Sequence, residues 1–362
     1  MKVLAALSGG VDSAVAAARA AEAGHDVTAV HLALSRNPQS HRTGARGCCT
    51  IEDSNDAFRA ADMIGAPFYV WDMSAEFQEK VIEDFISEYS VGRTPNPCLR
   101  CNESIKFEAV LNRAIDLGFD AVVTGHYARI EYGPHGAELH RAVDPTKDQS
   151  YVLGVMTAEQ ISHSLFPLGD STKVEVRAEA QRRGILVAQK PDSHDICFIP
   201  DGDTAGWLAR QIDTEPGDVI DAQTGNKVGT HQGAQAFTVG QRRGLALGNP
   251  TGEGERRYVV DVDVKTNTVM IGPPTLLDIN VIEAVNMRWA GPQPENGQDI
   301  EVQVRAHGES LPANVELTSD GVVITLRDQL RGVASGQAAV MYDGTRVIGS
   351  ATISRSRRSV TA

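Results

Sequence analysis

Two groups of residues in this chain have the types and spacing that chemistry requires. The first is Ser8-Gly9-Gly10-Val11-Asp12-Ser13, directly after the apolar run at residues 3–7. Paired glycines let a backbone turn tightly and approach a ligand, and the N–H groups at a following helix start point at an anion. Ser8 and Ser13 add hydroxyl donors. Asp12 adds a negative charge that a phosphate would repel unless a Mg²⁺ ion sat between them. An ordinary glycine turn has no need of these side chains. The lysine of the GxxxxGK[ST] loop is missing, so the chemistry is that of a different phosphate loop. The second group is sulfur: Cys48-Cys49 adjacent, Cys98 and Cys101 close together, and Cys197 alone in a polar run from Asp192 to Pro200. Five cysteines in 362 residues argue against a disulfide framework and leave either small buried hydrophobes or thiols in use. Thr94-Pro95-Asn96-Pro97-Cys98-Leu99-Arg100-Cys101-Asn102 reads as a loop stiffened by two prolines ahead of a helix starting at Glu103. Cys101 would then stand near a helix N-terminus, where the dipole and Lys106 favour a thiolate. Cys197, between Ile196 and Phe198, reads as core or as a thiol in use.

The elements that must position these groups are legible as two rhythms. Strands expected at residues 3–7, 27–34, 67–71 and 120–124 alternate with helices expected at 13–23, 55–64, 77–89 and 103–117. That alternation predicts an α/β domain with an open, mostly parallel sheet and helices on both faces. The phosphate loop follows the first strand and Gly125-His126-Tyr127 follows the fourth, the ends at which such sheets bind ligands. After about Pro200 the pattern alternates with period two at 258–264, 269–271, 300–305 and 315–317. Asp320-Gly321 and Asp343-Gly344 are hairpin dipeptides. This half predicts two smaller, mainly-β domains with a joint at Gly272-Pro273-Pro274, and a frayed tail over Ser354–Arg358. The expected division is 1–203, 204–277 and 278–362.

Composition removes several classes. Lys and Arg number 34 against 47 Asp and Glu, a formal net charge of −13, which excludes a polybasic binder and attachment to a membrane by bulk charge. No stretch approaches the roughly 20 consecutive apolar residues that span a bilayer. The first residues lack a signal-peptide pattern, so a cytoplasmic protein is expected.

The glycine loop resembles the PP-loop of the ATP pyrophosphatases. In order along the chain come SGGVDS, TPNPCxxCN with Ile105-Lys106-Phe107, Thr124-Gly125-His126-Tyr127-Ala128, Lys147-Asp148-Gln149-Ser150-Tyr151, Lys190-Pro191-Asp192-Ser193, Cys197-Phe198-Ile199 and the Phe237–Leu245 stretch. Each piece alone is unspecific. Their succession over about the first 260 residues is similar to the tRNA-specific 2-thiouridylases.

The resemblance implies an adenine nucleotide α-hydrolase-like N-terminal domain, a central β domain and a C-terminal β barrel. It implies that ATP with Mg²⁺ adenylates the C2 oxygen of the wobble uridine of tRNA, releasing pyrophosphate. Cys197 would carry sulfur as a persulfide from a donor protein, a cysteine desulfurase or relay carrier. Cys101 would be the nucleophile that assists transfer or closes a disulfide with Cys197, as AMP leaves. Ala6, Leu7, Ser8, Gly9, Gly10, Val11, Asp12 and Ser13 would hold the nucleotide, with Leu32 (through its backbone) and Gly125 on the adenine side. Asn96, Pro97, Cys98, His126, Lys147, Asp148, Gln149 and Gln337 would meet the tRNA, whose uridine must leave its stack to react.

The chain departs from the family in having Cys98 where many members carry Asp. Cys98, Cys101 and Cys197 could instead hold three irons of a [4Fe–4S] cluster, or zinc if His194 supplied a fourth ligand. Cys48 and Cys49 are expected to be structural. An acidic chain that binds RNA must do so locally, and Arg182-Arg183, Arg242-Arg243, Arg256-Arg257 and the Arg355, Arg357, Arg358 tail are the candidate cations. Two other classes stay open on the sequence. A PP-loop ligase of the argininosuccinate or NAD synthetase kind would have no use for Cys101 and Cys197. A non-catalytic RNA-binding or sulfur-carrier protein would release no AMP.

Overall fold

The computed structural model describes residues 1–35, 50–191, 196–199, 201–245 and 256–359. Cys48, Cys49, residues 42–47 before them, and Asp192, Ser193, His194 and Asp195 lie outside the described residues.

The first 35 residues build β1 (Lys2–Ala6), α1 (Val11–Glu22) and β2 (Asp26–Ala33). Then follow α2 (Ile51–Met63), β3 (Phe68–Asp72), helix α3 (residues 74–90), helix α4 (residues 97–116) and β4 (Ala121–Val123). The chain leaves the sheet for a hairpin, β5 (Ala128–Gly133) and β6 (Gly136–Arg141), and returns for the edge strand β7 (Ser164–Leu165). Helix α5 (Lys173–Arg182) follows. The sheet order is β3-β2-β1-β4-β7, every pair parallel. Successive strands run outward from β1 on one side and from β4 on the other. A crevice therefore opens between the carboxyl ends of β1 and β4.

Alternate residues of β1 serve different layers, as a strand's period of two dictates. Val3 and Ala5 pack with Val15, Ala16 and Ala17 of α1, whose small side chains bring that helix close to the sheet. Leu4 packs on the other face with Val122, Phe77 and Ile105. Each fully buried valine or leucine contributes about 1.5–3 kcal/mol to holding the layers together.

The helices start earlier than their apolar periodicity indicates, α2 and α4 by the most. The Thr50 hydroxyl accepts from the Asp53 N–H while the Asp53 carboxylate accepts from the Thr50 N–H, a capping box that begins α2 at Ile51 rather than at residue 55. Asn96 caps α4 through its side-chain oxygen, with Pro97 in the first position, so α4 begins six residues before Glu103. Both α3 and α4 contain i→i+5 bonded π-helical stretches, Gln78–Glu83 and Asn102–Val110, which pack on each other beside the crevice.

The second half is β. Strands β8 (Gly217–Asp221), β9 (Lys227–His231), β10 (Tyr258–Asp263) and β11 (Thr268–Gly272) form a sheet in the order β10-β11-β8-β9 around Val219, Val259, Val269 and Ile271. Six further strands follow: β12 (Asp278–Trp289), β13 (Gln298–Gln303), β14 (Leu311–Leu317), β15 (Val322–Arg331), β16 (Ala338–Asp343) and β17 (Arg346–Arg357). They close into a barrel through the β12–β17 pairing. The tail expected to fray is instead part of that seam. Arg355 pairs with Glu283 and Arg357 with Val281, and the Arg357 guanidinium donates to Glu283 at 2.8 Å. Closure leaves no open edge and so holds the strand to its end.

The β5–β6 hairpin, which the sequence reading lacks, extends the barrel sheet through Arg346 and His140. Leu139, Tyr151, Val340, Tyr342 and Val347 form one core across that junction. Among the described residues no helix is long and apolar enough to cross a membrane.

Candidate active site

A cleft of about 600 Å³ occupies the crevice at the ends of β1 and β4. Ala6, Leu7, Ser8, Gly9, Gly10, Val11, Asp12 and Ser13 line it, as do Leu32 and Gly125. Asn96, Pro97, Cys98, Cys101, His126, Lys147, Asp148, Gln149 and Cys197 line it too. The structure thus brings together every residue expected to be catalytic, to hold the nucleotide or to meet the tRNA, except Gln337. That side chain ties the barrel to the loop before α4, its Nε2 donating to the Thr94 carbonyl at 2.6 Å.

The phosphate loop is held by its own hydroxyls. The Ser8 N–H donates to Ser13 Oγ at 3.2 Å, and Ser13 Oγ donates to the Gly10 carbonyl at 3.1 Å. Gly10 caps α1 with no side chain, which leaves the first-turn N–H groups facing the cleft. Gly9 has φ +77°, and a Cβ there would meet the Asp53 carbonyl oxygen at 2.3 Å, so only glycine admits the start of α2 beside the loop. Lys190 clamps that contact, its Nζ reaching the Gly9 carbonyl at 3.0 Å, Asp53 at 2.7 Å and Asp56 at 2.9 Å.

Asp12 has partners the sequence reading did not name. Lys173 of α5 places its Nζ 2.6 and 2.8 Å from the two Asp12 oxygens, and the Tyr127 hydroxyl donates to the same carboxylate at 2.8 Å. The charge expected to repel a phosphate is therefore already balanced inside the protein. The turn after β4 is fixed by Gln149, whose side-chain oxygen accepts the Tyr127 N–H at 2.9 Å and whose own N–H donates to the Tyr127 carbonyl at 2.8 Å. Asp148 holds the neighbouring loop in shape, accepting from Ala142 N–H, Ser150 Oγ and Arg141.

His126 is buried between Phe107 and Phe166. Burial, with the Lys106 charge adding to it, pushes its imidazolium well below the usual histidine range. The ring is therefore neutral at physiological pH. Lys106 Nζ lies 3.4 Å from His126 Nε2, and an ammonium can only donate, so Nε2 accepts and Nδ1–H donates to Thr124 Oγ1 at 2.7 Å. His31, missed in the sequence, also lines the cleft. Its Nδ1 donates to the Leu7 carbonyl at 2.8 Å, and burial lowers its pKa in turn.

The sulfur side is built by α4 and the 196–199 segment. Cys101 and Cys197 pack against one apolar cluster that includes Leu4, Phe77, Val81 and Ile105. Phe198 anchors the segment with its ring 5.3 Å from those of Phe85 and Trp207. Because α4 begins at Pro97, Cys98 stands in its first turn and Cys101 lies a turn further in. The Cys98 and Leu99 N–H groups already bond Asn96 Oδ1. The helix-dipole argument for a Cys101 thiolate is weaker for it, and Lys106 is turned toward His126. Asn102 is buried beside the thiols with its Oδ1 unsatisfied among the described residues, while its amide donates to the Val152 carbonyl at 2.9 Å. Among the described residues no group of three or more His, Cys, Asp or Glu side chains is placed to hold a metal ion. His194, the sequence's candidate fourth ligand, lies outside the described residues.

From the barrel, Ala306 and His307 reach the cleft, a contribution with no local sequence signal. Several paired cations are occupied by the protein itself. Arg183 bridges Glu22 and Glu179, Arg257 lies 3.6 Å from Asp221, and Arg357 is on Glu283.

Comparison with known proteins covers nearly the whole chain. Residues 1–201 match the family described as "tRNA methyl transferase HUP domain". Residues 205–273 match "tRNA methyl transferase PRC-barrel domain", and residues 280–353 match "Aminomethyltransferase beta-barrel domain". The chain is 61% identical over 359 residues to the "tRNA-specific 2-thiouridylase MnmA" of Acidothermus cellulolyticus, covering 99% of each chain. It is 63% identical to the protein of that name from Salinispora tropica, over 98% of this chain and 99% of the relative. For the Streptomyces avermitilis protein the figures are 60%, 100% and 97%.

Proposed function

The chain belongs to the tRNA-specific 2-thiouridylase family, and on that premise we propose that it catalyses ATP-dependent 2-thiolation of the wobble uridine of tRNA. The observation that carries this reading is one cleft lined both by an anion-binding glycine loop and by Cys101 and Cys197. The family descriptions name a methyl transferase and the relatives a thiouridylase. Two thiols beside a phosphate cradle favour the second, because sulfur transfer uses both.

In the proposed sequence the uridine C2 oxygen attacks the α-phosphorus of ATP, and pyrophosphate leaves. This turns a poor leaving group into AMP, while the loop N–H groups stabilise the charge that develops on the phosphates. The terminal sulfur of a Cys197 persulfide then attacks C2 and AMP departs. The Cys101 thiolate attacks the Cys197 sulfur, which breaks the S–S bond, frees the thiocarbonyl and leaves a Cys101–Cys197 disulfide. An external thiol reductant must reopen it before the next turnover. The sulfur itself comes from a donor protein that carries it as a persulfide.

Mg²⁺ would be held by Asp12 together with the phosphates, and would neutralise phosphate charge. No step is routed through an iron–sulfur cluster. The nucleotide contacts are assigned to residues 6–13, Leu32 and Gly125. Asn96, Pro97, Cys98, His126, Lys147, Asp148, Gln149 and Gln337 are assigned to the tRNA. The family matches support domains at 1–203, 204–277 and 278–362. The tRNA substrate assigns the activity to the cytoplasm.

The test is to incubate the chain with tRNA, ATP, Mg²⁺ and a persulfide donor, then measure 2-thiouridine by nucleoside mass spectrometry alongside AMP. Cys101→Ser and Cys197→Ser should abolish 2-thiouridine. Full turnover in both variants would sink the sulfur mechanism and leave a ligase of another kind.

A further inference from the structure

The phosphate loop has no lysine of its own, yet one stands beside it, delivered from 161 residues away. We propose that Lys173 is the phosphate-contacting cation of this site: Asp12 holds its ammonium in place, and that ammonium binds the terminal phosphates of ATP and the pyrophosphate that leaves. The proposal rests on reading the glycine loop as the nucleotide cradle and adds a residue to it.

Three observations carry it. First, the placement: Lys173 lines the cleft, and its Nζ is 2.6 Å from a carboxylate on the first turn of α1. The uncapped N–H groups of that turn face the same space. A phosphate seated on those groups comes within reach of the ammonium without any movement of the backbone. Second, the cost: the Lys173 side chain is only 10% exposed, and a buried ion pair seldom stabilises a fold more than well-packed apolar residues would. Stability alone gives no reason for this pair at the floor of a cleft. Third, the rigidity of its base: the Lys173 N–H donates to Asp144 at 3.0 Å. Thr172 and Glu175 close a capping box around the same turn. The side chain therefore projects from a fixed point, with the Tyr127 ring 5.8 Å from its ammonium. Asp12 by itself would repel ATP. Paired with Lys173 it becomes a neutral unit that presents three ammonium hydrogens to be shared between carboxylate and phosphate.

The experiment measures binding of inorganic pyrophosphate, a non-hydrolysable ATP analogue and adenosine to the full chain by calorimetric titration. Lys173→Gln should weaken pyrophosphate and the ATP analogue about tenfold or more and leave adenosine unchanged, as loss of one charge-assisted hydrogen bond requires. Lys173→Arg, which keeps the charge, should stay within about threefold. The Asp12→Asn/Lys173→Gln double variant should remain weak for pyrophosphate. Recovery of full affinity in that double variant would mean that Lys173 only neutralises Asp12, and would overturn the proposal. An equal loss of adenosine binding would overturn it too. On the unaltered chain, pyrophosphate but not adenosine should slow acylation of Lys173 severalfold in peptide mass spectrometry, and unchanged labelling would count against the idea. If the unaltered chain bound no ATP analogue at all, the nucleotide reading itself would fall, a result distinct from these.

Discussion

Gly125 stands so close to the start of α1 that a Cβ placed on it would lie 2.6 Å from the Ser13 amide nitrogen and 2.7 Å from the Asp12 carbonyl carbon. The turn after β4 thus meets the first turn of α1 backbone to backbone and presses the phosphate loop into shape. Gly125→Ala should force the two apart. We expect a loss of about 1–3 kcal/mol in stability, the usual cost of overpacking. The KM for ATP should rise about tenfold or more, because the displaced atoms belong to the loop proposed to cradle the phosphates. Urea unfolding together with ATP-dependent AMP release checks both, and an unchanged KM would separate Gly125 from the nucleotide.

Lys190 performs a different task from Lys173, although both ammonium groups meet the glycine loop. Burial works against the Lys190 charge, but the hydrogen bonds it donates to Asp53 and Asp56 outweigh it and hold the pKa above the usual lysine value of 10.5. Its stabilising contribution is therefore complete at any pH below 10.5 and is lost only as pH climbs through the raised folded value. Lys190→Met would leave Asp53 without its cation and Asp56 with Arg59 alone. We expect a loss of about 2 kcal/mol, reduced from the fully buried case because the lysine is partly exposed. Adding Asp53→Asn and Asp56→Asn should recover most of it in a denaturation series.

What the sequence made legible follows from what is local. The glycine loop, the parallel sheet, the period-two barrel and the two cysteine segments are all encoded within short windows, and the structure puts the glycine loop and the Gly125 turn at the carboxyl ends of β1 and β4 as expected. The starts of α2 and α4 were also readable, since Thr50-x-x-Asp53 and Asn96-Pro97 are capping patterns. Apolar periodicity alone passes over them. Lys173, Ala306 and His307 had no such signal, because their roles depend on contacts across well over a hundred residues. The β5–β6 hairpin belongs with them. Its strands are short, with Tyr132 exposed, and what anchors them is distant in sequence: His140 pairs with Arg346 of β17, and Leu139 shares a core with Val340 and Tyr342. The frayed tail was misread for the same reason, its partner β12 being some 70 residues upstream.

Gln337 and Thr94 join the barrel to the catalytic domain, with the Thr94 N–H returning a bond to the Ser335 carbonyl at 2.7 Å. A Cβ on Gly336 would meet the Thr94 nitrogen at 2.9 Å, so the two backbones touch. Gln337→Ala should cost about 1 kcal/mol, the net worth of one hydrogen bond. Because Thr94 leads directly into Asn96 and the first turn of α4, which carries Pro97 and Cys98, the KM for tRNA should rise severalfold while affinity for ATP stays unaltered. A tRNA KM equal to that of the parent chain would remove Gln337 from the RNA contacts.

The neutral His126 makes the fold sensitive to mild acid in a calculable direction. In the unfolded chain this imidazole titrates near 6.5, whereas the folded site, by burial first and the Lys106 charge second, holds the pKa well below that. Between those two values the unfolded state binds the extra proton, so stability rises with pH there. The contribution is complete above pH 6.5 and is lost as pH falls from 6.5 toward the folded value, at up to about 1.4 kcal/mol per pH unit. His31 and His231 shift in the same direction and add to the slope. His126→Gln removes the titrating ring while keeping an amide able to meet Thr124 and Lys106. It should flatten the loss of stability between pH 6.5 and 5 relative to the parent chain, measured by urea midpoints across that range. A slope as steep as the parent's would show that His126 already shares its proton with solvent in the folded protein.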